Sequence, residues 1–269
     1  MTSDKGPELE VISRLPADDP QGPPIVFVHG AYGGAWCWDE YFLSWFAARG
    51  YATHAVSLRG HGASGGDGAL GGAGIDDYVA DLLQVTSKLG QPPILVGHSM
   101  GGFVVQKYLE RGEAAGAALM AAVPPRGLIG PGLSLMVWQP ALAFSLGSGQ
   151  IFGNNWDAPD VMRSALFSDA LPTAQADAYL ARMGPESTRA MIEMAGLEAP
   201  RLKDVTLPPI LVMGGHDDAL IPPAFVRSTA RAYGVSPNIL EDVGHVMMLD
   251  VGWESVAETI FDWMVDSDI

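Results

Sequence analysis

Apolar residues along this chain follow two rhythms. Short unbroken runs at 25–28, 94–96, 117–122 and 210–213 stand beside glycine, proline or polar residues, and 52–58 reads as a further strand. Such runs suit strands buried on both faces of a parallel sheet. Between them, at 35–49, 75–89, 103–111, 223–233 and 253–265, apolar positions recur at helical spacing. Gly50 and Gly90 follow two of these segments, where a glycine ends a helix readily. Residues 9–15 alternate enough for an edge strand, and a last strand is expected near 238–240. Strands alternating with helices predict an α/β fold with a doubly wound, mostly parallel sheet. Right-handed crossovers then gather the loops after the strands at one edge.

The rhythm breaks between residues 124 and 203. This stretch is too long for a loop and lacks strand alternation. Helical patterns are expected at 158–167, 174–183 and 186–193, and apolar stretches at 133–138 and 141–144 are split by Pro140. The chain therefore divides into a core, 1–123 with 204–269, and a helical insertion, 124–203. Residues 128–146 are apolar enough to suggest a membrane segment, but Pro131, Gly132, Gln139 and Pro140 interrupt them. No run reaches the roughly 18 apolar residues a span needs.

Candidate chemistry enters at Gly97-His98-Ser99-Met100-Gly101, set between the run 94–96 and the helical pattern after it. This is G-x-S-x-G in a strand–turn–helix context. A turn so tight leaves no room for side chains beside the serine, hence Gly97 and Gly101. It holds Ser99 out at a strand end and puts the Met100 N–H at a helix N-terminus, facing developing negative charge. A serine alcohol needs a base, oriented by a carboxylate. On this elbow the expected order is Ser, acid, His. Asp217 and Asp218 follow the run at 210–213, and Gly244-His245 follows the last strand, both in that order.

With those residues on view, the chain resembles the α/β-hydrolase superfamily of esterase, lipase and haloperoxidase-like serine hydrolases. The resemblance runs from Ile25 to the C-terminus, broken by one variable segment. Val28-His29-Gly30-Ala31-Tyr32 resembles the oxyanion loop, and Leu58-Arg59-Gly60-His61-Gly62-Ala63-Ser64 the R-G-x-G-x-S loop. The acid motif fits Gly215, Asp218 and Pro222, and the Gly-His motif fits Gly244 and His245. Counting from Gly214 would select Asp217 instead, with Pro222 one residue late. The resemblance implies a Ser99–Asp218–His245 triad, an oxyanion hole from the Ala31 and Met100 N–H groups, and a helical cap at 124–203. Tyr32, Met136, Trp138, Phe144 and Trp156 are candidates to touch substrate; Phe152 and Met162 are further candidates for the pocket wall. His29 is expected to shape the oxyanion loop, His61 to be structural, and His98 to pack beside the sheet.

The implied activity is hydrolysis of a neutral, apolar carboxylic ester, a small-molecule substrate, through an acyl-enzyme. Thioester, lactone or carbon–carbon bond hydrolysis and cofactor-free perhydrolysis use the same triad, and a non-catalytic receptor-like member is the remaining alternative. Gly34-Ala35-Trp36-Cys37-Trp38 resembles hydroxynitrile lyases, but Val246 and Gly30 stand where those enzymes carry lysine and threonine. No cofactor is implied. No H-E-x-x-H or C-x-x-C pattern suggests zinc. A net charge of −16 argues against nucleic acid and anionic membrane as partners. From 127 to 155 there is no charged residue, so a charged substrate would find little help there. The single cysteine, Cys37, excludes an intrachain disulfide and is expected to be buried; residues 1–10 lack an apolar signal core. A cytoplasmic location follows as an expectation.

Overall fold

The computed structural model describes residues 6–138, 159–201 and 205–269. Seven strands form one sheet in the order β1-β3-β2-β4-β5-β6-β7. They are β1 (Val11–Arg14), β2 (Ile25–Val28), β3 (Thr53–Val56), β4 (Ile94–His98), β5 (Gly116–Met120), β6 (Ile210–Gly215) and β7 (Pro237–Leu240). β1 runs antiparallel to β3 and every other pair is parallel, in the doubly wound order the alternation predicts.

The unbroken apolar runs have a simple cause. Successive strand residues point to opposite faces, and here both faces are covered. In β2, Ile25 and Phe27 join one core layer while Val26 and Val28 join the other. The first layer packs Phe27 on Trp38, Phe42 and Phe46 with ring centroids 4.9 to 6.1 Å apart. These rings come from α1 (Trp36–Asp39) and α2 (Phe42–Ala47). The second layer takes Tyr78 and Leu82 from α3 (Ile75–Thr86) and Phe103 and Val104 from α4 (Met100–Tyr108). Burying one such side chain contributes about 1.5–3 kcal/mol.

The helix expected over 35–49 is two helices. Tyr41 leaves the helical region at φ −138. Its hydroxyl sits 3.0 Å from that of Tyr179, and its ring stacks on Trp253 at 4.7 Å. Tertiary packing thus overrides a continuous helical pattern. The helix expected to reach 89 stops at Thr86, and Gly90 turns the chain at φ +75.

Between β5 and β6 lie α5 (Ile129–Trp138), α6 (Pro159–Leu166), α7 (Thr173–Leu180) and α8 (Thr188–Ile192), the last running into a wide turn, Glu193–Leu197. α8 starts later than the 186 its pattern suggests. The Ser187 hydroxyl caps it by accepting from the Ala190 N–H at 3.2 Å, and Glu186 turns inward. α9 (Pro223–Tyr233) and α10 (Trp253–Asp266) complete the described helices. Among the described residues, no helix is long and apolar enough to cross a membrane.

Candidate active site

β2, β4, β6 and β7 end at the same edge of the sheet, and the loops that follow them carry the candidate residues. At the end of β4 the chain makes the elbow. Ser99 adopts φ +52, ψ −115, a region costing a non-glycine residue on the order of 1–3 kcal/mol. Three backbone bonds hold it there: Ser99 N–H to the Met120 carbonyl (3.0 Å), and Val123 N–H (3.1 Å) and Phe103 N–H (3.2 Å) to the Ser99 carbonyl. A Cβ on Gly97 would lie 2.6 Å from the Gly101 carbonyl oxygen, so the turn closes only with glycine there. Met100 opens α4, where N–H groups have no carbonyl of their own helix to bond.

His245 lies in the loop after β7. Its Nδ1 donates to Asp218 Oδ2 at 2.8 Å. A carboxylate only accepts, so the neutral ring carries its proton on Nδ1 and leaves Nε2 as the basic nitrogen. The second oxygen, Asp218 Oδ1, accepts from the Leu220 and Ile221 N–H groups, both at 2.8 Å. The Asp218 side chain is fully buried, whereas that of Asp217 is 48% exposed and pairs with His216 at 3.0 Å. Of the two adjacent acids, the inner one meets the histidine.

After β2, His29 Nδ1 donates to the Gly30 carbonyl at 2.8 Å, and its Nε2 accepts from the Leu58 N–H at 3.0 Å. Those bonds fit only a neutral ring. Burial, then the neighbouring His61, push its pKa down to about 3. His29 thus shapes the loop ahead of Ala31, as expected. His98 corrects its expectation. It does not merely pack beside the sheet: it lines the cavity, 4.8 Å from the His245 ring, and donates Nε2–H to the His245 carbonyl at 2.9 Å. Burial and then the neighbouring His245 hold its pKa well below the usual histidine value, so it stays neutral.

Ser99, His245, Ala31, Met100 and Tyr32 all border one cavity of about 360 Å³. The rest of its wall is largely apolar and rich in methionine: Met162, Met183, Met191, Met194 and Met248 join Met100. Methionine fills irregular space adaptably. Met136, expected to touch substrate, is not in the cavity wall. It is 65% exposed. On α5 it shares an outward stripe with Ile129 and Leu133, spaced i, i+4, i+7, while Pro131 and Gly132 turn to the cavity. The side chain of Trp138 and the whole of Phe144, Phe152 and Trp156 lie outside the described residues. Cys37 is buried, as expected, at the cavity wall, where burial pushes its thiol up to about 12. Among the described residues, no cluster of three metal-ligating side chains is present.

Two buried carboxylates went unforeseen. Asp250 accepts from the N–H and hydroxyl of Ser168 (2.7 Å each), the Gly244 N–H (2.9 Å) and the Val251 N–H (2.8 Å). It ties the His245 loop to the segment between β5 and β6. A lone acid within the apolar run 246–251 was the available signal. Glu186 accepts from Tyr78, Ser187, His61 and the Tyr32 N–H. Its nonadjacent partners are over a hundred residues away, so nothing local marks it.

Residues 25–259 match the alpha/beta hydrolase family, and the chain belongs to it. Over 108 residues it is 40% identical to a non-heme chloroperoxidase of Streptomyces lividans, covering 39% of this chain and 38% of the relative. The chain thus matches less than half the length of that curated relative. A monoacylglycerol lipase of Mycolicibacterium smegmatis is 27% identical over 93% of this chain and 90% of its own. Among solved structures, an esterase from Exiguobacterium antarcticum superposes with a TM-score of 0.73 at 21% identity, covering 96% of each chain, a likeness of fold.

Proposed function

We propose that this chain is a serine hydrolase of neutral, apolar carboxylic esters, working through an acyl-enzyme on Ser99. The observation that carries the reading is the 2.8 Å bond between His245 and Asp218 at the wall of an apolar cavity that also takes in Ser99. His245 Nε2 takes the Ser99 proton as Oγ attacks the ester carbonyl, and Asp218 holds the ring's tautomer and stabilises its imidazolium. The Ala31 and Met100 N–H groups receive the oxyanion. The imidazolium then protonates the leaving alcohol, and water, activated by the same nitrogen, frees the acid. Residues 124–203 act as a cap whose methionines form part of the pocket. The relative named a monoacylglycerol lipase, which is similar over 93% of this chain, supports the ester reading.

One observation favours a second reading, perhydrolysis, in which hydrogen peroxide replaces water in the last step: the 40% identity to a chloroperoxidase. The test is a panel of neutral esters, thioesters and lactones with and without peroxide, together with a serine-directed organophosphorus reagent. Ester turnover with the adduct mapped to Ser99 is the expected result. An adduct elsewhere sinks the assignment, and faster peracid formation than hydrolysis moves it to perhydrolysis.

A further inference from the structure

Away from the cavity wall, the same molecule buries a second histidine–carboxylate pair. His61 Nε2 meets Glu186 Oε2 at 3.0 Å, with both side chains almost wholly out of solvent. His61 Nδ1 faces the Arg59 carbonyl at 3.0 Å. Both ring nitrogens therefore face acceptors, and only the imidazolium donates to both. Glu186 Oε1 accepts from the Tyr78 hydroxyl at 2.7 Å and the Ser187 N–H at 2.6 Å, while Oε2 also accepts from the Tyr32 N–H at 3.3 Å. Four donors on two oxygens fit an ionised carboxylate. Burial works against both charges. The mutual hydrogen bond and charge nonetheless raise His61 above its ordinary pKa and, with Ser187 and Tyr78, hold Glu186 below its own.

A buried ion pair gives up the hydration of both ions, and this one ends on the backbone of Tyr32. Tyr32 is a non-glycine residue at φ +65, directly after Ala31. Its backbone is gripped on both sides: Glu186 takes its N–H, and the Gly184 N–H donates to its carbonyl at 2.9 Å. Both gripping residues come from the inserted segment, beside the cavity-lining Met183.

We propose that Gly184 and Glu186, with Glu186 locked by His61, form a clamp that holds the oxyanion loop in its strained conformation, making Glu186 a positioning residue for the Ala31 N–H. This rests on the hydrolase reading above. The clamp touches no substrate. Its loss should weaken transition-state stabilisation and leave ground-state binding nearly intact.

The experiment uses Glu186→Gln and the milder Tyr78→Phe in the full chain. It reads kcat and KM on a neutral ester, the melting temperature, and the affinity for an apolar trifluoromethyl ketone. That ketone accepts Ser99 Oγ at its carbonyl carbon; the carbonyl electron pair becomes the oxyanion, and the serine proton goes to His245. Losing one oxyanion donor outright costs about 10²–10³ in kcat, so a displaced one should cost roughly 10–100-fold. Glu186→Gln is expected to lower kcat and ketone affinity by that same factor, with KM within about threefold. Tyr78→Phe is expected to shift kcat and ketone affinity about threefold in the same direction. Should Glu186→Gln not fold, Tyr78→Phe decides. Folded variants whose kcat and ketone affinity stay within twofold of wild type, or which change only in melting temperature or KM, overturn the clamp. If wild type neither turns over esters nor binds the ketone, the hydrolase reading has failed and the clamp with it. If wild type does both and the variants match it, the clamp alone is wrong.

Discussion

His245 meets Asp218 at 2.8 Å and His61 meets Glu186 at 3.0 Å, both pairs out of solvent, yet the two are built to opposite ends. His245 spends one nitrogen on its carboxylate and turns to the cavity. His61 spends both, on Glu186 and on the Arg59 carbonyl, and does not border the cavity. Asp218 is oriented by backbone two and three residues on, within one turn. Glu186 collects donors from α3, from the loop after β3 and from the loop after β2. A proton carrier needs one uncommitted nitrogen and a locally rigid acid. A pair that holds elements together is better saturated on every side. Composition alone does not separate these uses; the count of committed nitrogens does.

The largest expected effect breaks the first pair. Asp218→Asn should lower kcat by about 10⁴-fold, the cost of presenting the wrong tautomer in a related triad, while Asp217→Asn leaves it within threefold. Steady-state rates on one activated ester decide this. The opposite ranking would move the acid to the exposed Asp217 and remove the contrast between the pairs.

Next in size is the tether that carries His245. Asp250→Asn turns an amide nitrogen toward N–H and O–H donors that now share a carboxylate. Hydrogen bonds to a charged group contribute roughly 1.5–3 kcal/mol each, but neighbours in one network do not add. A loss of about 2–4 kcal/mol in urea unfolding is expected, with His245 less firmly placed and kcat lowered. Unchanged stability would show that the loop stands without Asp250.

How much of this was legible beforehand follows from how local each feature is. The elbow and the loops that carry Asp218 and His245 each sit within a few residues of a strand end, so strand periodicity and motif spacing located them, whereas the loop at 28–32 was marked by its resemblance to the family. Asp218 was separable from Asp217 by spacing to Pro222. The Glu186 and Asp250 networks are long-range, and no window of sequence holds Tyr32, His61, Tyr78 and Glu186 together. Met136 failed for a related reason. Hydrophobicity marks a cap residue but not which stripe of α5 faces inward. The break at Tyr41 likewise depends on Tyr179 and Trp253, far along the chain.

The second pair also sets a pH signature. His61 has a raised folded pKa. Its contribution is therefore full below the ordinary value of 6.5 and is lost as pH rises through the folded value. Glu186, lowered, contributes above about 4.5 and loses that contribution as pH falls through its folded value. His29, held near 3, and His98, also lowered, work differently. Below 6.5 the unfolded chain takes up protons that these native rings refuse, so stability falls with pH by up to about 1.4 kcal/mol per unit for each ring. Urea unfolding of wild type and His61→Gln from pH 5.5 to 9 checks the sign for the pair. The gap between them should be widest near pH 6 and shrink as pH rises. A gap that grows with pH would mean His61 is neutral in the native state and the pair is not an ion pair.

The smallest effect concerns the cavity, which His245 borders and His61 does not. The cavity between the elbow and the segment joining β5 to β6 is walled mainly by methionine and other apolar side chains. A charged substrate group entering it would give up water for nothing, whereas each added methylene gains about 0.8 kcal/mol on burial. That is about fourfold per carbon in kcat/KM until the cavity is full. Met162 is 1% exposed and lines the wall, so Met162→Ala should move the optimum to a longer chain. Met136→Ala should leave the optimum where it is, because Met136 stands outside. The measurement is kcat/KM across a homologous series of neutral esters, with one carboxylate-bearing ester beside its neutral analogue. A flat series, or preference for the carboxylate, would show that binding energy comes from somewhere other than this wall, while leaving the assignment of Ser99, Asp218 and His245 to be judged by its own tests.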